Sequence, residues 1–120
     1  MSLSSYPLVV GFLFMASLVS AAPLATCPQS IEDGSQSYTL NDASLFDGPP
    51  EELADLEPDN EGEMVWSLPD YQNSAQQREQ ALYFVCKYSK TTKTLTLTVP
   101  QAATTCSVVL RKGQTVAECE

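Results

Sequence analysis

From Leu82 to Val99 apolar and polar residues alternate. Leu82, Phe84, Cys86 and Tyr88 fall on one side of an extended segment, and Leu95, Leu97 and Val99 on one side of the next, with Thr94, Thr96 and Thr98 opposite. A polar stretch, "SKTTK" at 89–93, joins the two. Beyond Pro100, "CSVVLR" at 106–111 runs into Lys112-Gly113 and returns as "TVAECE" at 115–120. This period of two, punctuated by turn residues, predicts an antiparallel meander of four strands in the C-terminal part of the chain.

Upstream the pattern is weaker. Short alternation over 27–40 is broken by Asp33-Gly34, a turn-forming pair, and predicts one or two short strands. "DGPPEELADLEPD" at 47–59 reads as a helix of about two turns: Pro50 suits the first turn, Glu51 and Glu52 suit the positive end of the dipole, and Pro58 stops it. Leu53 and Leu56, three apart, form its inward face. "MVWSL" at 64–68 predicts a strand, and the uniformly polar "DYQNSAQQREQ" at 70–80 a loop. The fold class expected is mainly β with α+β character: a small disulfide-stapled antiparallel sheet carrying one short helix.

The first residues carry an address. "LVVGFLFMASLV" at 8–19 is an unbroken apolar run followed by Ser20, Ala21 and Ala22, the composition of a signal peptide cut after Ala21. A membrane-spanning helix needs roughly 20 apolar residues, and Pro23 closes this run short of that. The expected division is a leader over 1–21 and a single exported domain over 22–120, periplasmic or secreted, with no transmembrane segment.

An even cysteine count (Cys27, Cys86, Cys106, Cys119) behind an export signal predicts two disulfides. If Lys112 and Gly113 form a two-residue hairpin turn, Cys106 and Cys119 stand directly opposite each other at a non-hydrogen-bonded position. Alpha carbons there lie about 4.5 Å apart, close enough for a bridge. Within a meander Cys106 is two strands from Cys86, roughly 9–10 Å at about 4.8 Å per strand. Cys86 is thereby left to Cys27.

Charge excludes some functions. The chain has net charge -9 and a pI near 4.2. Twelve of its fifteen acids lie between Glu32 and Asp70, while all six basic residues lie from Arg78 onward. An acidic chain with no basic stripe is a poor ligand for nucleic acid or an anionic membrane surface.

Candidate chemistry is sparse. A thiol nucleophile at Cys86 needs a base, and the chain has no histidine. No cysteine pair is spaced as CxxC, so neither a redox motif nor zinc is indicated. Glu57, Asp59 and Glu61 take EF-hand-like positions around Gly62, but Leu68 stands where the bidentate glutamate belongs. Glu51 and Glu52 lack the cleft a glycosidase needs. "LATC" at 24–27 resembles a lipoprotein box with an ill-fitting Thr26. No catalytic, metal or cofactor-binding residue is therefore assigned. Trp66, Tyr71, Tyr83 and Tyr88 are expected mainly in the core, with Tyr83, out of phase with Phe84 and Cys86, the best surface candidate.

"CPQSI" at 27–31, "LFDGPPEELADLEPD" at 45–59, Trp66 with Leu68, "YFVCKYSKTTKTLTLTVP" at 83–100 and the last two cysteines resemble a family of small exported bacterial proteins with no established activity. The resemblance implies an exported domain with this cysteine framework and supplies no functional residues. The reading that follows is a non-enzymatic, monomeric binding or envelope-associated protein, its partner an unidentified envelope or extracellular protein. The alternatives are a secreted enzyme inhibitor, presenting 70–80 or 89–93 as its rigid loop, and a small carboxylate-dependent hydrolase.

Overall fold

A computed structural model describes residues 22–60 and 62–120; the leader expected over 1–21 lies outside them. The described residues form two antiparallel sheets. One, of four strands, runs β1 (Ala25–Thr26), β9 (Gln114–Cys119), β8 (Thr105–Arg111), β5 (Met64–Ser67). The other runs β2 (Ser30–Asp33), β3 (Gln36–Asp47), β6 (Leu82–Tyr88), β7 (Thr94–Thr98), with β4 (Asp55–Leu56) added beside β3. The mainly β class, the single short helix and the two disulfides are all present.

The hairpin at Lys112-Gly113 has the register its turn implies. Arg111 faces Gln114, Leu110 faces Thr115 and Cys106 faces Cys119. Thr105 and Glu120 exchange both backbone hydrogen bonds, so the neighbouring Cys106/Cys119 pair is non-hydrogen-bonded, its alpha carbons 4.0 Å apart. Positive φ at Lys112 (51°) and Gly113 (77°) gives this turn the twist that antiparallel strands favour.

The C-terminal strands do not form one meander. β6 and β7 belong to one sheet and β8 and β9 to the other, the chain crossing between them through Pro100–Thr104. Proline offers no N–H to extend β7, and Ala103 closes the crossover with a hydrogen bond to the Pro100 carbonyl. Cys86 and Cys106 thus lie in different sheets rather than two strands apart in one. Cys27, just beyond β1, is bonded to Cys86 at the centre of the opposite sheet, and this bridge joins the two layers. Leu45, Leu82, Phe84 and Cys86 from one sheet and Trp66, Cys106, Ala117 and Cys119 from the other share the buried core.

Two elements differ from the sequence-based expectation. The helix expected over 47–59 is a single 3-10 turn, Pro50–Glu52, followed by β4. Leu53 ends the turn in the left-handed region and is 80% exposed, while Leu56 is half-buried opposite Leu45. Prolines at 49, 50 and 58 leave room for two turns at most, too few to sustain a helix alone, and the free side of β3 offers hydrogen bonds instead. Conversely, 70–80 forms most of the helix α1 (Pro69–Gln77) rather than a loop. Pro69 starts it and Asp70 lies in its first turn. It buries only Gln72 and Ala75, three apart, a stripe too narrow to stand out in so polar a sequence.

β3 itself, twelve residues long, fills the gap the sequence pattern left between 41 and 46. It pairs with β2 from Gln36 to Thr39, around a turn at Gly34-Ser35 one residue beyond the expected Asp33-Gly34, and with β6 from Leu40 to Asp47, with a bulge between Leu40 and Asp42.

Tyr88, at the end of β6, is buried and donates its hydroxyl hydrogen to the Pro28 carbonyl at 2.8 Å. Burial pushes its pKa above the ordinary value of about 10. The neutral phenol is the form that donates, so this stabilisation is complete below the unfolded-state pKa and is lost as pH rises through the raised folded one. Tyr88→Phe is expected to lower stability by about 1 kcal/mol at neutral pH and to flatten the fall in stability at high pH. Urea titrations of both forms across the alkaline range check this.

Candidate interaction surface

All four cysteines are consumed in the two bridges and each is at most 1% exposed. They hold the frame and present no thiol to a partner. Trp66 is equally buried. Its ring meets that of Phe84 edge-to-face with centroids 6.0 Å apart, and its Nε1–H donates to the Leu56 carbonyl at 2.8 Å. Of the four aromatics considered for recognition, Trp66 and Tyr88 belong to the core, while Tyr71 and Tyr83 are half-exposed.

Tyr83 lies on the sheet face that points away from the core. Directly opposite it on β3 stands Phe46, and opposite Phe46 on β4 stands Asp55. Thr98 continues the row on β7. This line places two half-exposed aromatic rings beside the acidic turn, a neighbourhood that the sequence could not announce because β3 and β4 were not legible there.

The acidic segment divides into parts of different character. Asp59 is more than a solvated charge: its Oδ2 accepts the Ser67 backbone N–H at 2.8 Å, and its own N–H donates to the Val65 carbonyl. These bonds fix Asp59 alongside β5, at Val65 and Ser67. Glu61, the third carboxylate of the calcium-like spacing, lies outside the described residues; among the described residues no three acidic, cysteine or histidine side chains gather as a metal-holding group. Asp59→Ala is expected to lower stability by about 0.5–1 kcal/mol through the lost hydrogen bond, whereas Glu57→Gln changes little because an exposed charge contributes little. Thermal melts of the two variants distinguish them.

The residues between Gly48 and Leu56 stand furthest from the sequence expectation. Glu52 N–H bonds the Pro49 carbonyl and Leu53 N–H the Pro50 carbonyl, both at 3.0 Å. Asp47 N–H reaches the Ala54 carbonyl and Gly48 N–H the Ala81 carbonyl, so both ends of the turn are pinned to the sheet. Arg78 is paired with Asp47 beneath it. At the top Leu53 is exposed, flanked by exposed Glu51, Glu52, Ala54 and Asp55. The apolar spacing predicts Leu53 on a buried helix face, but the prolines on either side leave no room for such a face to form.

The two loops considered as inhibitory elements behave differently. Residues 70–80 are largely α1, packed by Gln72 Nε2–H onto the Pro100 carbonyl at 2.9 Å. The 89–93 turn has Lys90 in the left-handed region and Lys93 paired with Asp33 at 2.8 Å, which ties it to the β2–β3 hairpin. Among the described residues no helix is long and apolar enough to cross a membrane.

The family model described as type VI secretion system Tli immunity protein matches residues 34–120. No curated protein and no solved structure matches. The matched stretch takes in β3 through β9, α1, the acidic turn and three of the four cysteines; β1, Cys27 and β2 precede it.

Proposed function

The chain belongs to the type VI secretion system Tli immunity protein family, and from that premise we propose that it is a non-enzymatic inhibitor that binds a type VI effector and holds it inactive outside the cytoplasm. The observation that carries this reading is the family match over 34–120, which takes in all but one strand of each sheet and the acidic turn. Two disulfides suit an oxidising compartment, and the leader read from 1–21 would deliver the chain there. The exported-family resemblance of the sequence belongs to the same proposal.

The geometry supports inhibition by occlusion. A body stapled between its layers and along its last hairpin presents its surface turns already ordered, so little conformational freedom is lost on docking. Net charge of -9 steers it toward a partner with a positive face and raises the association rate.

The test is rescue. Type VI effectors are directed one at a time to the periplasm of a sensitive bacterium, with the chain co-expressed either whole or without residues 1–21. The expected result is that one effector loses its toxicity only when the whole chain is present, and that the two proteins then co-purify in a fixed ratio. Uniform killing across the effectors, with the folded chain recovered from the periplasm, would show the immunity reading wrong.

A further inference from the structure

We propose that Leu53 is the anchor by which this chain grips its effector, entering an apolar recess on the effector whose rim carries lysine or arginine. The proposal rests on the immunity reading and names the residue and the partner chemistry within it.

Leu53 contributes little to its own fold. It is 80% exposed, the highest value among the exposed large apolar side chains of the described residues, ahead of Leu110 at 76%, Leu24 at 47% and Leu95 at 36%. Its backbone sits at φ 57°, ψ 30°, a conformation that is strained for an L-residue with a Cβ and that glycine or asparagine adopts more easily. A leucine here gains no burial and strains the chain. Glycine at this position would carry neither penalty, so the leucine side chain is accounted for by a contact made outside the molecule.

The surroundings describe that contact. The turn is held by the backbone bonds at Pro49, Pro50, Ala54 and Ala81, and the strand that follows is latched through the Leu56 carbonyl by Trp66. A large apolar side chain on a rigid support, ringed by polar groups, is the arrangement of a binding hot spot. The ring here is Glu51, Glu52 and Asp55, all exposed, so the complementary recess has basic groups at its edge and an apolar floor. Leu110 is the rival. It stands in an ordinary strand position opposite Thr115 and beside Arg111 and Lys112, where an exposed leucine carries no backbone penalty and the neighbouring charge is of the opposite sign.

The experiment uses the whole exported chain and the purified effector that it neutralises in the rescue assay. Leu53→Gly and Leu53→Asn are expected to melt at or above the wild-type temperature and to bind that effector about thirty-fold or more weakly, the scale of a hot-spot residue. Glu51→Gln, Glu52→Gln and Asp55→Asn combined should slow association and reduce its salt dependence, while Leu110→Ser leaves affinity within about two-fold, as for a residue outside the hot spot. A clear drop in melting temperature for both Leu53 variants would overturn the proposal without any partner, because Leu53 would then be serving the fold. Unchanged affinity in those variants, or a loss confined to Leu110→Ser, would overturn it while leaving the immunity function standing. Wild-type chain that binds no effector defeats the immunity reading and the anchor with it. A change only in self-association would mean that the occupant is a second copy, and would also overturn it.

Discussion

Replacing Cys27 and Cys86 together with alanine is expected to lower the free energy of unfolding by about 4 kcal/mol, against about 3 kcal/mol for Cys106 and Cys119 together. The difference follows from loop length, since the first bridge closes a sequence separation of 59 and the second one of 13. Position adds to it. The first bridge joins the two sheets across the core, with both cysteines at most 1% exposed, whereas the second links neighbouring strands that are already hydrogen-bonded. A domain of this size has a total stability of roughly 5–15 kcal/mol, so loss of the inter-sheet bridge takes a large fraction of it. Its removal also leaves the segment before Gly34 held by non-covalent contacts alone, among them the Tyr88 hydrogen bond to Pro28 and the β1–β9 and β2–β3 pairings. Urea unfolding of the two double variants measures both values, and a larger loss from the hairpin pair would refute the assignment of the inter-sheet bridge as the main staple.

Trp66→Ala should cost about 3–5 kcal/mol, the range for emptying a buried aromatic site. The ring is 1% exposed and fills the space between β5 and Phe84 on the facing sheet. Trp66→Phe separates two contributions of the same side chain. It keeps most of the apolar contact but deletes the hydrogen bond to the Leu56 carbonyl, with an expected cost of about 1–3 kcal/mol including the acceptor left unpaired. The second consequence is local: with the latch gone, β4 and the Leu53 turn lose one of their anchors and rely on the pairing with β3 and the Gly48–Ala81 bond. Faster amide exchange over 53–57, with the remaining strands still protected, is the expected signature. Exchange that rises evenly across both sheets would mean that Trp66 supports the core without fixing the turn.

The C-terminal hairpin shows how far local rules reach. Lys112-Gly113 sets a two-residue turn, the turn sets which residues face each other, and the Cys106/Cys119 contact follows by counting outward. The same holds for the alternation that places Leu82, Phe84, Cys86 and Tyr88 on the buried side of β6, and for the out-of-phase Tyr83 on the outer one. Each depends on residues close in sequence, whose geometry the backbone itself imposes.

The acidic segment and the helix lay beyond that reach for opposite reasons. Between 47 and 59 the local signals for a helix start were real, yet the segment was too short to hold a helix, and its hydrogen bonds went to β3 and its Leu56 carbonyl to Trp66. Over 70–80 the polar composition hid a helix that needed only Gln72 and Ala75 inside. Leu53, the residue on which the proposed grip depends, was therefore misplaced on a buried face.

What the sequence by itself determined is the β-rich class, the C-terminal strands with the register of their last hairpin, and the acidic balance of charge. The tertiary structure alone decided that those strands divide between two sheets, that β3 runs through the middle of one of them, and that an acidic turn stands out with a leucine at its top. The reason is physical. Alternation and turn chemistry act between neighbours along the chain, whereas the partition of strands into layers and the fate of a marginal helix depend on which distant carbonyls and side chains satisfy one another once the core has closed.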